Sequence, residues 1–184
     1  MFTFTKTFID GVIVVEPHFA GDNRGFFCKT YDVETFKKNG ITSDFVQDDN
    51  SFSTYGVLRG LHYQIKHPQA KLVRVIQGKV FDVAVDLRKG SKTYGKWFGI
   101  ELSAENKKML YIPRGFAHGF ITLSDNVYFA YKADDIYYPD DQGGIAFDDP
   151  DVNVDWPKIE GEFILSEKDK ANPKLRDIKI EFDL

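Results

Sequence analysis

Cysteine is almost absent: Cys28 stands alone among 184 residues. One thiol can build neither a disulfide framework nor a cysteine-based zinc site, so any core must hold by packing. No apolar run approaches the roughly 20 residues a membrane-spanning helix needs. The first residues lack the basic, then apolar, then small-residue order of a secretory signal. The expectation is a cytoplasmic protein without a membrane partner. A basic surplus is missing too, since 24 Lys and Arg stand against 28 Asp and Glu, a net charge of −4. That balance argues against a nucleic-acid partner, while leaving room for a local basic pocket. There is no repeat, linker or low-complexity stretch, and the length suits a single domain over residues 1–184 with its own core.

What the chain has in quantity is aromatics, with 17 Phe and 9 Tyr. They favour strands and a pocket able to stack rings. Strands are expected at 11–15 and 26–31, then in close succession at 43–48, 57–65, 70–77, 79–87, 96–102, 108–112, 116–123 and 126–132. Segment 79–87 alternates, with Phe81, Val83, Val85 and Leu87 on one face and Val80, Asp82, Ala84 and Asp86 on the other. Asp32 is placed to cap a short helix that Asn39-Gly40 ends. Residues 139–157 turn acidic and loop-like, and a helical turn near 166–170 precedes a charged tail. Many short strands with tight turns indicate a sandwich, barrel or jelly roll.

Residues 57–64, Val-Leu-Arg-Gly-Leu-His-Tyr-Gln, concentrate chemistry. His62 brings an imidazole, the usual proton carrier among side chains, with Arg59 upstream and Lys71 across a short loop. Gly60 inside a strand pattern signals a bulge or a close backbone approach. An isolated histidine is more often a hydrogen-bonded core residue; the flanking cations reverse that preference and make His62 a candidate base. A second stretch, Pro113-x-Gly115-x-x-His118, resembles the second motif of the cupin superfamily, whose fold is a small jelly-roll barrel. On a strand, Phe116, His118 and Phe120 share one face, which puts His118 in a barrel mouth. His62, His118 and Asp82 match the count of a non-haem iron triad. The paired histidines of a first cupin motif are missing, however, and a metal-free barrel without a cofactor is preferred.

The order of motifs is more specific than any one of them. Gly21-Asp22-Asn23-Arg24-Gly25-Phe26-Phe27, Phe45-Val46-Gln47-Asp48, Val57–Gln64, Lys71-Leu72-Val73-Arg74, Phe81–Asp86, Ile112–Phe120, Tyr131-Lys132, Trp156-Pro157 and Leu165-Ser166-Glu167-Lys168-Asp169 follow one another along nearly the whole chain. Together they resemble the dTDP-4-dehydrorhamnose 3,5-epimerase family. The resemblance implies a mainly β, cupin-type jelly-roll barrel with a few short helices and a C-terminal wrap. It also implies a metal-free homodimer acting on a nucleotide-linked 4-keto-6-deoxy sugar.

Epimerising a carbon beside a ketone requires a base, an acid on the opposite face and a group that steadies the enolate oxygen. By the resemblance these are His62, Tyr131 and Lys71, with Asp169 orienting the base. Each also has a plainer reading. Tyr131 could be an ordinary strand aromatic and Lys71 a strand-edge cation, while Ser166-x-x-Asp169 has the pattern of a helix capping box. Arg24, Arg59 and Lys168 match phosphate-binding positions, Gln47 a nucleotide contact and His118 a substrate contact. A positioned acid or base contributes roughly 10²–10⁴-fold and one oxyanion donor about 2.7–4 kcal/mol, so several groups are needed together.

Three positions depart from the family pattern. Lys29 and Gln142 stand where glutamate is common, and Asp49 where asparagine is common. All three are substrate-binding positions, so a related enzyme inverting only C3 or C5, or using another nucleotide sugar, is the alternative. A geometric problem also remains. Strict alternation sends Arg59 and His62 to opposite faces, yet the epimerase reading needs both at one ligand, so a bulge is expected near Gly60. For the dimer, segment 11–15 is expected to leave a hydrogen-bonding edge that a second copy could cover.

Overall fold

The computed structural model describes residues 2–180 and 182; the end of the charged tail, at 181, 183 and 184, lies outside them. The strands are β1 (Phe2–Lys6), β2 (Ile13–Pro17), β3 (Phe19–Asp22), β4 (Gly25–Cys28), β5 (Gln47–Ser53), β6 (Leu58–Gln64), β7 (Lys71–Gln77), β8 (Lys79–Asp86), β9 (Trp97–Ser103), β10 (Met109–Ile112), β11 (Phe116–Thr122), β12 (Val127–Ala133) and β13 (Gln142–Gly144). Among the described residues two short α-helices, α1 (Val33–Lys38) and α2 (Glu167–Lys170), and two 3-10 turns, Pro139–Asp141 and Leu175–Asp177, accompany them.

One sheet runs β1-β2-β10-β7-β12-β5 and the other β13-β6-β11-β8-β9, with β3 and β4 forming a separate hairpin. Every pairing between these strands is antiparallel. Strand alternation then decides what each face meets. Val73, Val75 and Phe129 of the first sheet pack against Val80, Ala84, Phe116 and Phe120 of the second, forming the inner core. The outer face of the second sheet, with Leu61, Val83 and Val85, is covered by Ile145, Val152, Leu175 and Ile180 of the C-terminal wrap. The outer face of the first sheet, with Ile13, Leu72 and Met109, is covered by Phe36 of α1. This is the expected cupin-type jelly-roll barrel.

The two faces of β8 divide as its alternation predicts: Val80 and Ala84 join the inner core, while Phe81, Val83 and Val85 meet the wrap. Helix α1 begins where Asp32 accepts the Thr35 N–H at 3.0 Å and ends at Asn39. Other bounds shift. The strand expected at 43–48 starts at Gln47 and continues through Asp49 to Ser53, because a ladder to β12 over seven residues holds polar residues that propensity places in loops. Likewise β13, in the acidic loop region, forms by pairing with the end of β6. The turn-rich run at 21–25 is the tip of the β3–β4 hairpin, so the strand expected at 26–31 stops at Cys28. The expected free edge at 11–15 is corrected: β2 starts at Ile13 and lies inside its sheet, and β1 takes the edge beside it.

Candidate active site

Both sheets open onto a cavity of about 720 Å³, within the range that holds small-molecule ligands. Its lining includes Gln47, Arg59, His62, Lys71, His118, Tyr131, Gln142, Lys168 and Asp169. The charged side chains among the described lining residues are three cations, Arg59, Lys71 and Lys168, and one carboxylate, Asp169. A chain of net charge −4 thus carries a basic cavity. No three His, Cys, Asp or Glu among the described residues come together as a metal-ligand set, so the candidate triad of His62, His118 and Asp82 does not assemble.

The bulge expected near Gly60 is present. His118 pairs with His62 and Phe120 with Arg59, so two steps along β11 span three along β6. The extra residue breaks strict alternation and brings Arg59 and His62, three positions apart, to the same cavity. Only glycine fits there. A Cβ on Gly60 would lie 2.6 Å from Gly119 Cα and 2.7 Å from the His118 carbonyl oxygen, and φ is +120°. Arg59 is steadied from Nε to Ser53 Oγ at 3.1 Å and from Nη2 to the Phe52 carbonyl at 3.3 Å.

The His62 Nε2 bonds Asp169 Oδ1 at 2.5 Å. A carboxylate at Nε2 favours the tautomer that donates from it and leaves Nδ1 free to accept a proton. Asp169 is buried, and its backbone N–H donates to Ser166 Oγ at 3.1 Å. The cap and the histidine contact therefore coexist: the backbone of Asp169 is capped, while its side chain turns across to β6. Burial pushes the Asp169 carboxyl up, but the bond to His62 and its charge, with Ser166 and the Gly60 N–H, outweigh this and hold it below the usual carboxylate range.

Across the cavity, on the other sheet, stand Tyr131 of β12 and Lys71 of β7. Lys71 Nζ lies 5.5 Å from the centre of the Tyr131 ring. Desolvation pulls the Lys71 ammonium down to about 8, against the charges of Asp82 and Asp49 that support it. Desolvation pushes the Tyr131 phenol up to about 12, helped by the Asp49 carboxylate and Tyr137 and opposed by Arg59. The phenol is therefore fully protonated at neutral pH.

His118 lies on the cavity wall, its Nε2 bonded to Asp82 Oδ2 at 2.9 Å. Gln47 turns its carbonyl to the Tyr137 N–H at 2.8 Å and its amide to Asp49 at 2.5 Å. At the rim, Gln142 Oε1 accepts from Tyr137 Oη at 2.7 Å and from Lys168 Nζ at 3.0 Å. Asp49 does not line the cavity but sits opposite Tyr131 in the β5–β12 register. Arg24 and Lys29 are not brought to the cavity of their own chain. Arg24 sits at the hairpin tip, its side chain 85% exposed and paired with Asp22, and Lys29 pairs with Asp32 at the start of α1. Tyr137 was not anticipated as a lining residue. Tyr137-Tyr138-Pro139 reads as a loop boundary, and long-range bonds from Gln47 and Gln64, with the stacking of Tyr138 on His67, fix that loop beside the cavity.

The family model for dTDP-4-dehydrorhamnose 3,5-epimerase matches residues 6–177. The chain belongs to that family. A dTDP-4-dehydrorhamnose 3,5-epimerase of Methanothermobacter thermautotrophicus is 51% identical over 177 residues, 96% of each chain. The crystal structure of a dTDP-6-deoxy-D-glucose-3,5-epimerase from Legionella pneumophila, in complex with dTDP-4-keto-L-rhamnose, superposes with a TM-score of 0.94 at 47% identity, covering 97% of this chain and 95% of that one. The Elizabethkingia anophelis family member gives a TM-score of 0.91 at 48% identity over 96% of this chain and 97% of its own. Family membership makes this chain an isomerase, and every charged lining residue lies within the matched segment.

Proposed function

We propose that the chain epimerises C3 and C5 of dTDP-4-dehydro-6-deoxy-D-glucose, giving dTDP-4-dehydro-L-rhamnose in dTDP-rhamnose biosynthesis. The observation that carries this reading is the division of acid–base groups between facing sheets. His62 with Asp169 stands on one side of the cavity, and Tyr131 with Lys71 on the other. His62 Nδ1 removes the proton alpha to the C4 ketone, and the electron pair moves onto the ketone oxygen. Lys71 holds the enolate oxygen as an ammonium. Tyr131 then gives its proton to the same carbon from the opposite face, which inverts it. His62 returns its proton to solvent and the phenol is reprotonated before the second carbon reacts. No step calls on a cofactor.

Arg59 and Lys168 provide cations for the diphosphate, where guanidinium can bind bidentately. Gln47, Gln142 and His118 hold the nucleotide and sugar. In this reading residues 1–184 act as one cytoplasmic domain and pair as a homodimer. The β3–β4 hairpin supports the pairing, because Phe26 and Phe27 are 60% and 79% exposed beside Arg24. Arg24, Lys29 and their neighbours then meet substrate only where the hairpin reaches a second copy.

The test is turnover of the dTDP sugar in heavy water. Deuterium at both C3 and C5, with loss of at least about 10²-fold in His62→Ala, is the expected result. Deuterium at one carbon alone selects a C3- or C5-only epimerase, and intact turnover in His62→Ala defeats the proposal.

A further inference from the structure

Asp82 is a carboxylate with no exposed surface, in the middle of β8. Burying such a group is costly unless it is paired. Only half of it is satisfied: Oδ2 bonds His118 Nε2, while Oδ1 has no hydrogen-bond partner among the described residues. It shares the inner face of its strand with Val80 and Ala84, so it points toward the opposite sheet, and its Oδ2 reaches His118 of the cavity wall. Lys71 faces inward from that sheet, on the same side of β7 as Val73 and Val75. Packing alone gives no reason for a half-satisfied carboxylate among valines and phenylalanines.

We infer that Asp82 is the positioning residue of the enolate clamp: it fixes the His118 ring through Nε2 and supplies the counter-charge that lets Lys71 stand as an ammonium at the cavity floor. This rests on the role proposed above for Lys71. The groups facing Lys71 are Asp82 from β8, Asp49 from β5 and the Tyr131 ring from β12. Of the two carboxylates, Asp82 gives the larger support against desolvation. His118, bonded to Asp82, is the other group whose setting depends on it. Without the carboxylate, Lys71 loses its proton at lower pH and the clamp weakens across the neutral range.

The experiment is the pH profile of kcat and KM for Asp82→Asn, which keeps the shape and removes the charge. The alkaline limb is expected to move to lower pH. Each unit of movement cuts the ammonium fraction about tenfold on the alkaline side. Activity recovers toward that of the unaltered enzyme as pH falls, which a loss of packing would not produce. Asp82→Ser, smaller and neutral, serves the same measurement if the asparagine variant does not fold. An alkaline limb that stays in place, or a loss equal at every pH, overturns the inference. Lys71→Met separates the two levels of the reading. A loss of exchange at C3 and C5 sustains the clamp, and undiminished exchange removes it together with the role assigned to Asp82.

Discussion

Replacing Gly60 by alanine should damage both the fold and the site, and the structure allows the two contributions to be separated. The added methyl would sit 2.6 Å from Gly119 Cα and 2.7 Å from the His118 carbonyl oxygen. Both are backbone atoms in the middle of β11, so neither can rotate away. The residue must also keep φ at +120°, a region that costs a non-glycine residue about 1–3 kcal/mol. Overpacking adds about 1–3 kcal/mol, for a total of about 2–6 kcal/mol. Gly25 is the control: its φ is +127°, but a Cβ there meets nothing within 4 Å. Gly25→Ala should therefore cost the backbone contribution alone, about 1–3 kcal/mol. Gly119→Ala, whose Cβ would lie 2.6 Å from the Arg59 carbonyl oxygen, tests the contact from the other strand. Urea unfolding of the three variants reads stability. Turnover of the folded Gly60 variant reads the site, where a shift of about 1 Å can cost about 10²-fold. If Gly60→Ala unfolds no more easily than Gly25→Ala, or retains full kcat, the close approach of β6 to β11 is not what sets the site.

Other outcomes follow from the same geometry. Tyr131→Phe should keep deuterium exchange at the sugar carbons but lose inversion, since His62 can remove and return a proton on one face; NMR of the recovered sugar distinguishes the two. Asp169→Asn should lower kcat by about 10²-fold or more with little change in KM; an unchanged kcat would show that Asp169 only caps α2. The Asp169 carboxyl is lower in the folded chain than in the unfolded one, so it stabilises the fold above the unfolded value, and that contribution is lost as pH falls through the folded one. Acid unfolding of Asp169→Asn should accordingly be less steep. For Lys71, whose folded value is depressed from 10.5 to about 8, activity and stability should part company. Activity that needs the ammonium falls as pH rises through about 8. Unfolding free energy rises between about 8 and 10.5, where the unfolded chain binds more protons. Rate and urea profiles on one sample check both signs.

The fold was readable wherever local pattern and tertiary setting agree. The two-residue period of 79–87 assigns Val80 inward and Phe81 outward, and Asp32 announces the start of α1. At the site, the conflict between alternation and chemistry at Arg59 and His62 pointed to the bulge, because two residues needed at one ligand cannot sit on opposite faces of a regular strand. What was not readable depends on partners distant in sequence. Gln47–Ser53 becomes a strand through β12, and Gln142–Gly144 through β6. Tyr137 reaches the rim through Gln47, 90 positions away. The direction of the Asp169 side chain is set by His62, 107 positions away, and no local signal distinguishes it from a plain capping residue.

The division of the site between two sheets also bears on why a barrel suits this chemistry. Inverting a carbon requires base and acid on opposite faces of one ring, held apart so that they do not simply neutralise each other. Neighbouring strands of one sheet place side chains about 5 Å apart, too close for a sugar to enter between them. Facing sheets stand about 10 Å apart, room for a hexose ring once inward side chains are small or pushed aside. Here the inner core fills one part of that gap with Val73, Val75, Val80 and Phe129, while the Gly60–Gly119 contact lets β6 bulge and present His62. Under the proposed function, the cations gathered at the same opening take the diphosphate at Arg59 and Lys168 while the sugar lies between the sheets. In that reading the glycine pair matters as much as the histidine, since the bulge at Gly60 and Gly119 is what frees His62 and Arg59 from strand alternation.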